Sequence, residues 1–164
     1  MDRNILQQIL TAGCQAPSAD NSQPWKFHVD DDTVDINNTH HLDHPFLNFR
    51  WRGTYVAHGA LIENMIQQSS ALGYTGSVAP FPDSNNHDLV ARISFSKSTP
   101  NPDTLAPYIN TRHTNRKKYK NQPLTNIQRA ELSKIPNVVL LEDRAKIKSL
   151  GSALSVTERV ALDT

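Results

Sequence analysis

The segment "RHTNRKKY", residues 112–119, holds the side chains best suited to bind an anion. Arg112 and Arg116, with Thr114 between them, supply two guanidinium groups and a hydroxyl within one short stretch. In an extended backbone, positions 112, 114 and 116 share one face. That face would suit a phosphate, because Arg presents a planar fork of donors and charge-assisted bonds of this kind contribute roughly 1.5–3 kcal/mol each. A solvated basic turn is the competing reading of the same residues. A second stretch, "APSADNSQPWKFHV" at residues 16–29, packs two prolines, Ser18, Ala19, two amides and a Trp into one connection. Pro17 and Ser18 follow a helical pattern directly, and the pyrrolidine ring fixes the backbone so that its groups are presented at little ordering cost. Asn21 and Gln23 alternate outward before Pro24 and Trp25 return to the core. Such a loop can hydrogen-bond the polar tail or ring edge of a flat ligand. It can equally be a plain connector whose Asn and Ser satisfy their own backbone.

Other chemistries find less support. "HHLDH" groups His40, His41, Asp43 and His44, but the spacing matches no structural zinc pattern, and no metal is expected. With six glycines in the chain, neither G-x-G-x-x-G nor a P-loop occurs, and there is no G-x-S-x-G elbow. The single cysteine, Cys14, excludes an intrachain disulfide and fits a reduced, cytoplasmic compartment. It falls in an amphipathic helix pattern, where a small buried residue is the expected role.

The chain has 164 residues, of which 37% are hydrophobic, with a mean hydropathy of −0.54. Seventeen basic and sixteen acidic residues leave a formal charge of +1, which gives no global attraction to nucleic acid or anionic membrane. A nucleic-acid module built on Arg112, Arg116, Lys117, Lys118 and Lys120 would also want interleaved aromatics beyond Tyr108 and Tyr119. No signal-peptide core and no run of 18 apolar residues appears.

These residues must be positioned by the surrounding elements. Apolar Ile5, Leu6, Ile9 and Leu10 oppose Gln7, Gln8 and Gln15 over a helix at 3–16, which Pro17 stops. "WKFHV" and "TVDIN" read as two strands joined by the acidic turn 30–32. Residues 38–52 read as irregular. A long helix follows in "TYVAHGALIENMIQQSSALG", with Val56, Ala60, Leu61, Asn64, Met65, Gln68 and Leu72 at i, i+3/i+4 spacing and Gly73 as C-cap. "YTGSV" and "LVARISFS" read as strands around a loop at 80–88. Beyond Pro100 a short helix is expected at 103–110. A capping box at Thr125 and Gln128 should open a helix to about Lys134. "NVVLL" is expected to form a strand, and 143–162 a last long helix. The order of elements predicts a mixed α/β or α+β domain, and α+β is the class expected. The pattern stops mid-helix at "ERVALDT", so a longer sequence is expected beyond Thr164.

Taken together, three segments resemble the nitroreductase family of flavoproteins. "APSADNSQPWKF" is similar to that family's A-P-S-x-x-N-x-Q-P-W signature. "HGALIENMIQQSSALGYTGSV" resembles its long central helix, and "RHTNRKKYKNQPLT" its Arg-x-Ser/Thr-x-Arg/Lys segment. The resemblance implies a mainly antiparallel mixed sheet flanked by helices. It also implies FMN bound at a subunit interface, reduction by NAD(P)H, and hydride transfer to a small-molecule acceptor such as a nitro compound or quinone. By position, Pro17, Ser18 and Ala19 would line the isoalloxazine, with Asn21 and Gln23 shaping the loop behind. Arg112 and Thr114 would take the ribityl-phosphate end, and Arg116 the pyrimidine edge, where a cation stabilises the reduced anionic ring. The chemistry would belong to the flavin, so no catalytic side chain is named.

The order of segments differs from single-unit members, in which the Arg segment precedes the Pro-Ser loop. Here it follows by about ninety residues. That order resembles the subgroup with two nitroreductase-like halves in one chain. Residues 1–100 would be the first half and 101–164 the start of a second, incomplete one. A site shared across the halves, or across a homodimer, is implied. So is an alternative function in the same fold: an FMN store with little turnover.

Overall fold

The computed structural model describes residues 1–42, 48–118, 120 and 122–162. Contacts divide the chain into two units, Met1–Thr114 and Asn115–Thr164.

In the first unit, helix α1 (Arg3–Cys14) starts where the Asp2 carboxylate accepts a hydrogen bond from the Asn4 backbone N–H at 2.8 Å. An acidic cap satisfies an orphan donor and complements the helix dipole. Strands β1 (Trp25–Asp30) and β2 (Thr33–Asn38) form an antiparallel hairpin in register from Trp25 opposite Asn38 to Asp30 opposite Thr33. On β2, Val34, Ile36 and Asn38 are buried, which is the period of two expected for a strand with one covered face. Helix α2 (Arg52–Ala71) runs to a turn in which Gly73 takes φ +80°, a conformation without penalty only for glycine. Strands β3 (Tyr74–Pro80) and β4 (Leu89–Lys97) complete a four-stranded antiparallel sheet of order β1-β2-β4-β3. The α+β expectation and the assignment of both strand pairs hold.

The core lies between this sheet and the two helices. Ile9, Val34, Ile36, Leu61, Met65, Ala91 and Ile93 are all 0% exposed. Close approach of the helices depends on Gly13, where a Cβ would stand 2.7 Å from Met65 Cγ. The Asn64 side chain also donates to the Ala12 carbonyl at 3.1 Å, tying the helices together with a polar bond.

Three expectations are corrected. Val56 is 73% exposed, whereas Leu61 and Met65 are buried as expected and Ala60 and Leu72 pack against the core. Hydropathy missed Thr54, His58 and Ser69, buried on the same helix, because they are polar. The expected helix at 103–110 is a single tight turn, Ala106–Tyr108, containing Pro107, which has no N–H to extend it. "NVVLL" forms no strand: residues 138–141 pair with no ladder among the described residues, and Val139 is 87% exposed.

The second unit contains helices α3 (Asn126–Ser133) and α4 (Arg144–Leu162). The capping box is complete: Gln128 N–H donates to Thr125 Oγ1 at 3.2 Å, and Thr125 N–H donates to Gln128 Oε1 at 3.0 Å. Arg129 grips Glu142 with two donors at 2.7 Å each. That grip ties α3 to the segment that did not become a strand.

Candidate functional site

The connection from α1 to β1 is held at several points. Ala16 N–H donates to the Gly13 carbonyl at 2.9 Å, which fixes the chain as it leaves the helix. Ser18 Oγ then accepts from Gln23 N–H at 2.9 Å, closing residues 18–23 into a loop. Inside it a short turn, Ala19–Asn21, returns Asn21 N–H to the Ser18 carbonyl and Ser22 N–H to the Ala19 carbonyl. Asp20, Asn21 and Gln23 adopt φ of 48°, 57° and 48°. Left-handed conformations at non-glycine residues carry a cost and persist where the surroundings over-determine them. Behind the loop, Pro24 is buried and Trp25 packs against the core, as the sequence implied. Pro17, Ala19, Asn21 and Gln23 are exposed and Ser18 is partly so.

Arg112 belongs to the same unit and comes to the same place. Its backbone N–H donates to the Tyr108 carbonyl at 2.8 Å, and its guanidinium Nη2 donates to the Gln15 carbonyl at 3.1 Å. A cation on the last carbonyls of α1 is favourable in itself. It also sets the guanidinium at the base of the loop, since Pro17 lies two residues on, at most about 7 Å between Cα atoms. The sequence therefore places an Arg and a proline-serine loop about ninety residues apart, and the fold brings them together. Thr114, also in this unit, is exposed. Arg116 is exposed and belongs to the second unit, and residues 112–116 have no regular extended structure.

Sequence reasoning missed two features. The Gln15 carbonyl, anchor of Arg112, has no side-chain signature; its only signal is its place just past the last turn of a helix. Ser22, at a position the signature leaves open, has a buried hydroxyl with no partner among the described residues. Such an orphan is uncommon in a folded chain. Cys14, just before the loop, is half-buried. Burial pushes its thiol above the usual range, and the Trp25 side chain acts in the opposite sense, so the buried role fits better than that of a reactive thiolate.

The histidine segment does other work. His40 Nε2 lies 2.6 Å from Asp88 Oδ1, its Nδ1 accepts from Asn38 Nδ2 at 3.0 Å, and its ring meets Trp51 edge-on at 4.6 Å. Asp43 and His44 lie outside the described residues. Among the described residues no three His, Cys, Asp or Glu side chains are grouped to hold a metal. No described helix is long and apolar enough to cross a membrane.

Comparison with known proteins bears on this geometry. No protein-family model matches the chain. Two Mycobacterium tuberculosis proteins are similar in sequence. "Putative NAD(P)H nitroreductase acg" is 29% identical over 97 residues, 57% of this chain and 28% of its own length. "Putative NAD(P)H nitroreductase Rv3131" is 24% identical over 125 residues, 75% of this chain and 36% of its own. The chain thus spans about a third or less of the curated relatives it matches. Among solved structures, a "putative nitroreductase in complex with FMN" from Desulfovibrio desulfuricans aligns with a TM-score of 0.50 at 19% identity, over 87% of this chain and 86% of that one. The chain has the nitroreductase-like fold.

Proposed function

We propose that this chain belongs to the nitroreductase family and supplies an FMN site to an NAD(P)H-dependent oxidoreductase. The observation that carries the reading is the Arg112 guanidinium seated on the Gln15 carbonyl, at the foot of the loop closed by Ser18 and Gln23. A phosphate binder and a rigid, strained loop thereby share one locality, as a flavin mononucleotide requires. Supporting it are the FMN-bound structure of the same fold and the names of the mycobacterial relatives.

The residues present fit the group. The exposed guanidinium of Arg112 keeps donors beyond the one given to Gln15, and a charge-assisted pair with phosphate is stronger than its bond to a neutral carbonyl. Thr114 adds a hydroxyl two residues on. Pro17, Ser18 and Ala19 would form the wall against the ring, with Asn21 and Gln23 holding the loop in shape behind them. When bound, FMN supplies hydride transfer from NAD(P)H to an acceptor such as a quinone or nitro compound. No side chain needs to act as nucleophile or general base. A homodimer, or a pseudo-dimer of two halves in one longer chain, would close the far side of the site.

The test is direct. Purified protein loaded with FMN should bleach on anaerobic addition of NAD(P)H and recover its colour with a quinone. A yellow protein inert to both nicotinamides would instead indicate storage of FMN. Arg112→Ala should weaken FMN retention by about 1.5–3 kcal/mol, roughly ten- to a hundredfold. If that variant purifies as yellow as the parent, the phosphate role is wrong.

A further inference from the structure

Helix α2 buries Thr54, Ala57, His58, Leu61, Met65 and Ser69 within its own unit and leaves its other side open. There Arg52, Val56, Gly59 and Glu63, at i, i+4, i+7 and i+11, form one exposed stripe. Val56, 73% exposed, is not an isolated apolar residue. Beside it Tyr55, 36% exposed, meets Phe81, 49% exposed, edge-on at 5.4 Å between ring centroids.

Gly59 sits mid-helix, where glycine is less stable than alanine. A Cβ at this position would meet nothing within 4 Å, and its φ is not left-handed. Neither crowding nor backbone geometry within the chain therefore requires glycine here. A bare patch on an exposed helix does allow a second helix to come close, since interaxial distance is set by the side chains at the crossing.

The stripe also carries opposite charges at its two ends, Arg52 at the N-terminal end and Glu63 about 16 Å along the axis. Two copies laid antiparallel across Gly59 bring each Arg52 end over the partner's Glu63 end. The remaining offset of three residues, about 4.5 Å, is within reach of two long side chains. Val56 then faces the partner's Ile62, three residues to the other side of the crossing. A parallel pairing would set like charges together.

We propose that this stripe is a two-fold interface between copies of this chain, in which α2 crosses the partner's α2 at Gly59. Such a patch is self-complementary, as a closed dimer requires. It gives the homodimer named above a surface, and it holds whether or not flavin binds.

The experiment measures the mass of the whole chain by analytical ultracentrifugation over a concentration series, with melting temperatures recorded. The parent should dimerise. Gly59→Leu is the discriminating variant, because leucine suits a helix better than glycine and has open space in the single chain. At concentrations where both proteins are monomeric its melting temperature should be no lower than the parent's. Its dimer dissociation constant should nevertheless rise about ten- to a hundredfold. Glu63→Arg should also weaken the dimer, and Arg52→Glu added to it should restore it. A parent that stays monomeric throughout overturns the interface, as does a dimer that tolerates Gly59→Leu or one that the charge exchange does not rescue. Dimerisation with the expected pattern in a chain that takes up no FMN upholds the interface and counts against the flavin reading.

Discussion

The two units of this chain are built from similar sequence signals and end in different physical states. In the first, apolar periodicity on two helices and four strands converges, and seven apolar side chains reach zero exposure. In the second, the helices form with an intact capping box, yet Ile127 is 77% exposed, Val139 87%, Leu150 52% and Leu154 58%. Local signals are enough to make a helix; a core needs a second surface to face. Burial of apolar area is the dominant favourable term in folding, and among the described residues the first unit collects far more of it.

Leu61→Ala should destabilise the first unit by about 2–5 kcal/mol, because it removes buried methyl groups and leaves a cavity. Val139→Ala should stay within about 0.5 kcal/mol. Both Trp residues, Trp25 and Trp51, lie in the first unit, so urea unfolding followed by tryptophan fluorescence reads the Leu61 effect directly. Equal costs at the two positions would erase the distinction between the units.

Next in size, Thr125→Ala should cost α3 about 1 kcal/mol by removing the acceptor for the Gln128 N–H. Faster hydrogen exchange in residues 126–133, with the first unit's unfolding midpoint unchanged, is the expected outcome. A shift of that midpoint would mean the units are energetically coupled.

The smallest effect is electrostatic. Arg92 grips Asp35 with donors at 2.6 and 2.7 Å and holds its carboxyl below the usual range, linking β4 to β2. A depressed folded pKa gives stability that is present above the unfolded value near 4 and lost as pH falls through the lower folded one. Asp35→Asn should therefore flatten the acid limb of the first unit's stability profile. Arg129 lowers Glu142 in the same sense, but on the exposed surface of the second unit. Its acid sensitivity should appear only in exchange at α3, and should fade with added salt.

How much of this was legible beforehand varies with the range of the interaction. The strands, the long helix with its glycine stop and the capping box are local patterns, and they could be read from spacing alone. The stripe of α2 could not, since Thr54, His58 and Ser69 are buried for reasons that depend on their neighbours: Thr54 lies beside Asn48, and its carbonyl receives His58 Nδ1 at 2.9 Å. "NVVLL" misled for the opposite reason, because strand propensity says nothing about whether an edge is available to pair with. At the candidate site, the residue types of the loop and the arginine were visible. The bond joining Arg112 to a backbone carbonyl ninety-seven positions away was not.

By itself the sequence determined which residues could meet a phosphate and a flat ring, and where the regular elements begin and stop. Those properties reside in side-chain chemistry and in the few backbone angles open to Pro, Gly and capping residues. Only the tertiary structure decided that Arg112 stands beneath the proline-serine loop, and that among the described residues the fully buried apolar side chains all belong to the first unit. Proximity between distant segments is a property of packing, set by the summed burial of the core, and no single segment encodes it.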